Sequence, residues 1–422
     1  MRILMLTQFY PPIIGGEERH VANLSKALAA RGHEVSVATL QHENLPTFEV
    51  EDGIRLHRVR GSMQRIGMLF SEKSRQYAPP FPDPEITGAL RHIIQQERPD
   101  IVHAHNWLIH SFTPLKSWSR AKLVMTLHDY SLVCVQKRLM HHGTLCSGPG
   151  LTKCLGCAAT FYGPSKGWPT TLANAFWSGQ ERRAVDMFVP VSHAVAEGTQ
   201  LEKYHARYRV IPNFVPDYIE VTDDETDQHL KQLPEGDFLL FVGDIMADKG
   251  AEVLLEAYAQ MKTTLPLVLI GRPYLPGLAD RLPPNVFLLG TWPHAAIMGA
   301  WSRCTLALIP SIVADACPTV AMEAMMMAKP IVATRSGGLI DIVADGETGL
   351  LVPRGDAQAL REAIQSLLDD PDRRATMGRL ARQRVAKFQS SAIVSQLEQT
   401  YQELLDKGSL ASEPSQVLVG RK

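Results

Sequence analysis

Short apolar runs alternate with longer amphipathic stretches along almost the whole chain. Unbroken Val, Ile and Leu runs mark strands buried on both faces, and stretches with apolar residues three and four apart mark the helices that cover them. In the first half this pattern predicts strands at Arg2–Thr7, Glu34–Thr39, Ile54–Val59, Ile101–Ala104, Lys122–Thr126 and Met187–Pro190. Helices are predicted at Glu17–Ala30, Pro84–Glu97, Thr170–Arg183 and His193–Tyr204. Between 212 and 236 the apolar period lapses among Pro, Asp and Glu, which reads as a linker. A second series then predicts strands at 238–242, 267–270, 286–289, 306–309, 331–333 and 349–352. Its helices are expected at 250–261, 294–301, 356–369, 372–387 and 390–406, with one more crossing between 309 and 331. Two consecutive series predict an α/β protein of two doubly wound, Rossmann-like domains facing a cleft. The expected boundaries are 1–211, 237–388, a C-terminal helix over 389–407 and a disordered tail over 408–422.

At 422 residues the chain is long enough for two such cores. The opening MRILMLTQFY has too short an apolar run for a secretory signal, and no stretch has spanning length. A cytoplasmic location is therefore expected, with the six cysteines reduced or metal-bound. Net charge is −1, and nucleic acid is not an expected partner. The charge is uneven, however: residues 1–210 carry 24 Lys and Arg against 17 Asp and Glu, and 13 of the 15 histidines. The densest basic cluster, Arg55, Arg58, Arg60, Arg65, Lys73 and Arg75, reads first as a solvated face. Peripheral contact with the inner face of the membrane, or with an anionic acceptor, is the alternative.

The segment from Pro310 to Gly338 concentrates the chemistry. It joins two predicted strands through a loop and a crossover helix, so its loop lies where open α/β sheets bind ligands. Asp315 falls on the loop and Glu323 on the helix, while Pro318 suits the first helical turn, with the free amides of Thr319 and Val320 behind it. Cys317 lies in the same donor-facing stretch, although with Cys304 it also reads as an ordinary buried residue. Gly337 and Gly338 form a further strand-to-helix turn. Gly15 and Gly16 occupy the equivalent turn after the first strand, and GDIMADKG, from Gly243 to Gly250, the one after strand 238–242. Lys249 there is a cation at a helix start, an electrostatic misfit that suits a bound anion. Taken singly, the glycines read equally as tight turns, the lysine as solvated and the acids as surface groups. Together they are specific.

These residues resemble a known family. PPIIGG near the start, VHAH at 102–105, HDY at 128–130, VSHAV at 191–195, IPN at 211–213, Lys249-Gly250, and Asp315 and Glu323 with seven residues between them are similar to the retaining glycosyltransferases of family 4, with the GT-B fold. The likeness runs from residue 1 to about 390, with Asp in place of the first Glu of the family's E-x7-E pattern. It implies that Lys249 holds the diphosphate of a UDP- or GDP-type sugar donor, Glu323 the ribose, and Asp315 the hydroxyls of the transferred sugar. It implies also that Thr319 and Val320 present amides to the phosphates, that the Gly15-Gly16 loop closes on the donor and that His128 projects toward the donor sugar. The C-terminal helices would return to the N-terminal domain. Catalysis would need no metal: the leaving phosphate accepts the proton of a hydroxyl attacking from the same face. The acceptor would be a polysaccharide or lipid-linked glycan of the cell envelope.

Two features depart from the family. Asp244 stands where it usually has Arg, so Arg272 or Arg335, both at ligand-side strand ends, is expected to supply the missing charge, surface solvation being the alternative. Cys134, Cys146, Cys154 and Cys157 form C-x11-C-x7-C-x2-C in what reads as a loop of about forty residues without its own core. A structural zinc held by these thiolates is one reading, with His141 and His142 as alternative ligands; four free cysteines is the other. Three functions stay open: the glycosyltransferase, another enzyme of the same architecture such as a nucleotide-sugar epimerase or phosphorylase, and a non-catalytic sugar-nucleotide-binding subunit.

Overall fold

The computed structural model describes residues 1–13, 15–42, 45–65, 77–218 and 228–406. Lys73 and Arg75 of the basic cluster, part of the expected linker and the expected tail lie outside these. The first half contributes strands β1 (Arg2–Leu6), β2 (Glu34–Leu40), β3 (Phe48–Glu51), β4 (Ile54–Val59), β5 (Ile101–Ala104), β6 (Lys122–Leu127), a two-residue pair β7 (Met140–His141) and β8 (Thr144–Leu145), and β9 (Met187–Pro190). A seven-stranded sheet runs β3-β4-β2-β1-β5-β6-β9, parallel except for the edge strand β3. The second half adds β10 (Leu239–Val242), β11 (Leu267–Ile270), β12 (Val286–Leu288), β13 (Leu306–Ile309), β14 (Ile331–Thr334) and β15 (Gly349–Val352). They form an all-parallel sheet in the order β12-β11-β10-β13-β14-β15. Central strands are buried on both faces, as their unbroken apolar runs require.

Strand order determines where ligands can sit. In the first sheet β1 continues to β2 on one side and β5 joins on the other, so the chain reverses direction across the sheet between β1 and β5. The second sheet does the same between β10 and β13. The helices after the strands on either side of such a point diverge to opposite faces and leave a crevice at the strands' carboxyl ends.

Helix boundaries follow local chemistry. The helix Pro84–Glu97 starts at Asp83, whose carboxylate accepts from the amides of Glu85 (2.9 Å) and Ile86 (3.2 Å), with Pro84 in the first turn. The last helix, Ser390–Asp406, leaves the second half and packs on the first sheet. Ile393, Val394, Leu397, Tyr401 and Leu404 share a core with Ile3, Met5, Val21 and Leu24. Tyr401 Oη lies 2.6 Å from His103 Nδ1, Glu398 pairs with His33 at 2.7 Å, and Arg209 donates to Glu403 at 2.8 Å.

Three expectations need correction. The cysteine-bearing stretch is not a loop without a core: it contains the β7–β8 hairpin and the helix Leu151–Tyr162, which packs against a longer helix, Pro164–Ala184. That second helix, expected only from Thr170, starts six residues earlier, at Pro164, with Pro169 inside it. The helix expected over His193–Tyr204 ends at Gly198, where Gln200 and His205 take left-handed backbone angles. Finally, Pro318 stands one position before the helix Thr319–Met326, as its N-cap, rather than inside the first turn.

Candidate active site

Both crevices carry the residues singled out by their spacing. At the carboxyl end of β10 the chain passes Gly243 and makes a short turn, Ala247–Lys249, before the helix Ala251–Ala259. Gly250 has φ 75°, and a Cβ there would lie 1.9 Å from the Pro310 carbonyl oxygen, so the two loops touch through bare backbone. The Asp248 carbonyl accepts from the amides of Ile312 (2.9 Å) and Val313 (3.1 Å), binding the loops together. Lys249 Nζ then reaches Asp315 Oδ1 at 2.5 Å, while Ser311 Oγ donates to Asp315 Oδ2 at 2.5 Å.

The turn after β14 closes around the same carboxylate loop. Gly337 has φ 55°, a side chain on it would strike the Asp315 carbonyl oxygen at 2.2 Å, and Gly338 N–H donates to that oxygen at 2.7 Å. Glu323, on the helix Thr319–Met326, is 5 % exposed and lies 3.1 Å from His294 Nε2. Burial of a carboxylate is tolerated where a hydrogen-bonding partner meets it. Thr319 and Val320 lead that helix, so their amides have no partner inside it.

Gly15 and Gly16 open the helix Gly16–Ala30 at the carboxyl end of β1, and a Cβ on Gly16 would meet nothing within 4 Å. Packing therefore does not demand glycine there. Glu17, next in line, accepts from Asn106 Nδ2, and burial pushes its carboxyl up to about 8, against the pull of Lys137. His128 follows β6 with its Nε2 3.0 Å from His105 Nδ1, and His20 stands edge-on to it at 4.9 Å between ring centroids. Burial, with the neighbouring charge site of His103, holds His128 down at about 3. The cluster is therefore neutral at physiological pH: His128 can donate or accept a hydrogen bond but brings no positive charge. Among the described residues, His20, His105 and His128 are the one group with three ligand atoms within 4.8 Å of one another. The VHAH histidines divide, since His103 is a core residue held by Tyr401 and Thr126 while His105 faces His128.

The two halves meet across the cleft. Arg138 Nη2 donates to Asp248 Oδ1 (2.9 Å), Asn213 Nδ2 to the Cys317 carbonyl (3.3 Å) and His193 N–H to Asp341 Oδ2 (2.8 Å). Burial, followed by the charge of Asp315, pushes the Tyr130 phenol above its usual range, so the HDY segment and the Asp315 loop share one electrostatic environment.

Of the residues expected to replace the missing arginine, Arg272 forms a two-bond pair with Asp244 itself (2.9 and 3.0 Å), and Arg335 pairs with Asp345. Asp244 thus faces a cation from the neighbouring strand end. The sequence reading missed Glu17, Lys137, Arg138, Asn213, Asp248 and His294. Glu17, directly after the diglycine, Asn213, in IPN, and Asp248, in GDIMADKG, had a local signal; Lys137, Arg138 and His294 come in from other segments.

Comparison with known proteins agrees with this layout. Residues 14–217 match the profile of Glycosyltransferase Family 4, and residues 223–384 that of Glycosyl transferases group 1. A glycogen synthase of Mycobacterium tuberculosis is 26% identical over 433 residues, covering 95% of this chain and 94% of its own. A sucrose-phosphate synthase from Thermosynechococcus elongatus has a similar fold at TM-score 0.71 and 23% identity, across 96% of this chain and 99% of that one. HepE from Anabaena, solved in complex with UDP and glucose, follows at TM-score 0.66 and 19% identity, over 95% and 99%. The two profiles cover successive halves of a two-sheet, cleft-bearing fold, and the chain belongs to the group 1 glycosyl transferases of family 4, enzymes of the GT-B fold.

Proposed function

We propose that this glycosyltransferase moves a hexose-type sugar, with retention of configuration, from a nucleoside diphosphate to a hydroxyl of a polysaccharide or lipid-linked acceptor. The observation that carries the reading is the Lys249–Asp315 pair at the switch point of the second sheet, with Glu323 on the helix that follows the Asp315 loop and Asn213 of the first half bonded to the Cys317 carbonyl of the same loop. In the reading, a donor diphosphate displaces Asp315 as the partner of Lys249 and rests on the amides of Thr319 and Val320. Asp315 is then released to accept from the sugar's hydroxyls, and Glu323 accepts from the ribose. Gly243, Cys317 and Pro318 border the same loops, Asn213 holding the Cys317 carbonyl in place. His128, neutral, orients the sugar from the other side. Charge builds on the departing diphosphate, where the Lys249 ammonium and oriented amides stabilise it without any step through a metal, and its oxygen takes the incoming hydroxyl's proton. UDP in the structural neighbour makes uridine donors the first to try.

A thermal-shift screen of UDP, GDP, ADP and their sugars tests binding, since a ligand specific for the folded state raises the melting temperature by mass action. Glu323→Ala is expected to abolish the shift; a full shift in that variant would put the ribose elsewhere. Donor consumption with and without acceptor extracts then separates transfer from epimerisation, which needs no acceptor, and from binding alone, which consumes nothing.

A further inference from the structure

The cysteine-bearing insertion has a construction that the transfer chemistry does not use. Cys134 lies just after the HDY segment, Cys146 follows β8, and Cys154 and Cys157 sit about one turn apart on the helix Leu151–Tyr162. All four line a single cavity of about 280 Å³ in the first half of the chain, all are half-buried and none is in a disulfide. Three of the sulfurs have N–H donors turned toward them. Gln136 Nε2 is 3.0 Å from Cys157 Sγ, and Gly150 N–H is 3.4 Å from Cys154 Sγ. The amides of Gln136, Lys137, Arg138 and Leu139 face Cys134. Successive amides wrapped round one sulfur form an anion-binding nest, and N–H donors of this kind are the outer partners that metal-bound thiolates take. The turn also carries conformational strain: Lys137 and Leu139 are both left-handed, at φ 66° and 52°, without being glycine.

We propose that Cys134, Cys146, Cys154 and Cys157 bind one structural zinc ion as a tetrahedral all-thiolate site. Each thiol loses its proton to solvent as the metal enters, so that one dication replaces four protons and the site carries two negative charges, which the surrounding N–H groups offset. No three of these sulfurs lie within 4.8 Å of one another, so the metal must draw them together as it enters. Metal binding would hold the 136–139 turn, and with it two cations at the cleft. Lys137 lies near Asp129 and Glu17, and Arg138 bonds Asp248 next to Lys249. The His20, His105 and His128 group is more compact but consists of imidazoles already engaged with one another at the sugar-facing wall. The proposal does not depend on the donor or acceptor assignment.

The full chain, purified under reducing conditions without added metal, is assayed by elemental mass spectrometry and thiol titration. About one equivalent of zinc is expected. A chelator should release it, make four more thiols reactive and lower the melting temperature by several degrees. Cys154→Ser and Cys157→Ser should lose the metal while Cys304→Ser keeps it. Less than about a tenth of an equivalent of zinc, a disulfide among the four, iron in place of zinc, or zinc retained in the Cys154→Ser, Cys157→Ser double variant overturns the proposal. If the variants fail to fold, the zinc content and chelator-released thiols of the unmodified protein decide it.

Discussion

Glu181→Gln should make this protein more stable, and increasingly so as pH rises. Glu181 lies on the helix Pro164–Ala184 and is 2 % exposed; its Oε1 has no hydrogen-bond partner, and its Oε2 is 3.9 Å from His110 Nε2. His110 does not compensate its charge, because burial holds that imidazole down at about 4 and leaves it neutral. Burial also pushes the Glu181 carboxyl up to about 8, from an ordinary value of 4.5. Between those values the unfolded chain is ionised at this position and the native one is protonated. Unfolding therefore releases a proton, and stability falls as pH rises from about 4.5 to about 8. At about 1.4 kcal/mol per pH unit, the ionisable side chain costs roughly 3 kcal/mol at pH 7 relative to a neutral isostere. The second amide proton of glutamine, if unpaired, takes back about 1 kcal/mol. The expected gain is thus about 2 kcal/mol at pH 7 and more at pH 8, turning into a small loss of about 1 kcal/mol near pH 4.5. Chemical denaturation of both proteins at pH 5, 6, 7 and 8 measures it. A difference that stays constant across that range would mean that Glu181 ionises normally in the native state, and the argument from burial would be wrong.

Other expectations follow from the same geometry. His20, His103, His105, His110 and His128 are all held below their usual range, chiefly by burial, so below about pH 6.5 the unfolded chain binds protons that the native one refuses. Stability should drop by several kcal/mol from pH 6.5 to 5, with uptake of about two or more protons on unfolding; uptake below about one would count against a neutral cluster. Lys249→Met removes one charge-assisted bond to the diphosphate, worth about 1.5–3 kcal/mol, and should weaken nucleoside diphosphate binding about tenfold or more by calorimetry. Binding within about threefold of the original would take Lys249 out of the site. Gly250→Ala places a methyl against the Pro310 carbonyl at a positive φ and should cost at least about 2 kcal/mol in a thermal melt. An unchanged melt would show that the two loops separate freely.

Much of this protein is legible without coordinates. Buried parallel strands such as Leu239–Val242 and Leu306–Ile309 announce themselves because both faces are apolar, and the glycines at 250 and 337 mark places where two loops meet through backbone alone. The spacing of Asp315 and Glu323 is local as well, one acid on a loop and the other on the helix that follows. Those features depend on neighbours within a few tens of residues, which is the range over which sequence pattern carries physical information. What sequence could not supply was pairing between distant segments. Arg138 and Asp248 are 110 residues apart, and the partners of Glu323 and Asp244 come from other strand ends. The helix Leu151–Tyr162 escaped notice because large apolar residues on it, Leu151 and Phe161, face outward, and the helix expected from Thr170 begins earlier, at Pro164, with Pro169 inside it. Residue types and spacing determined the two sheets and the chemistry at the ends of their strands. Only the tertiary structure decided which charges face which, because that depends on how the two sheets sit across the cleft and not on any local preference of the chain.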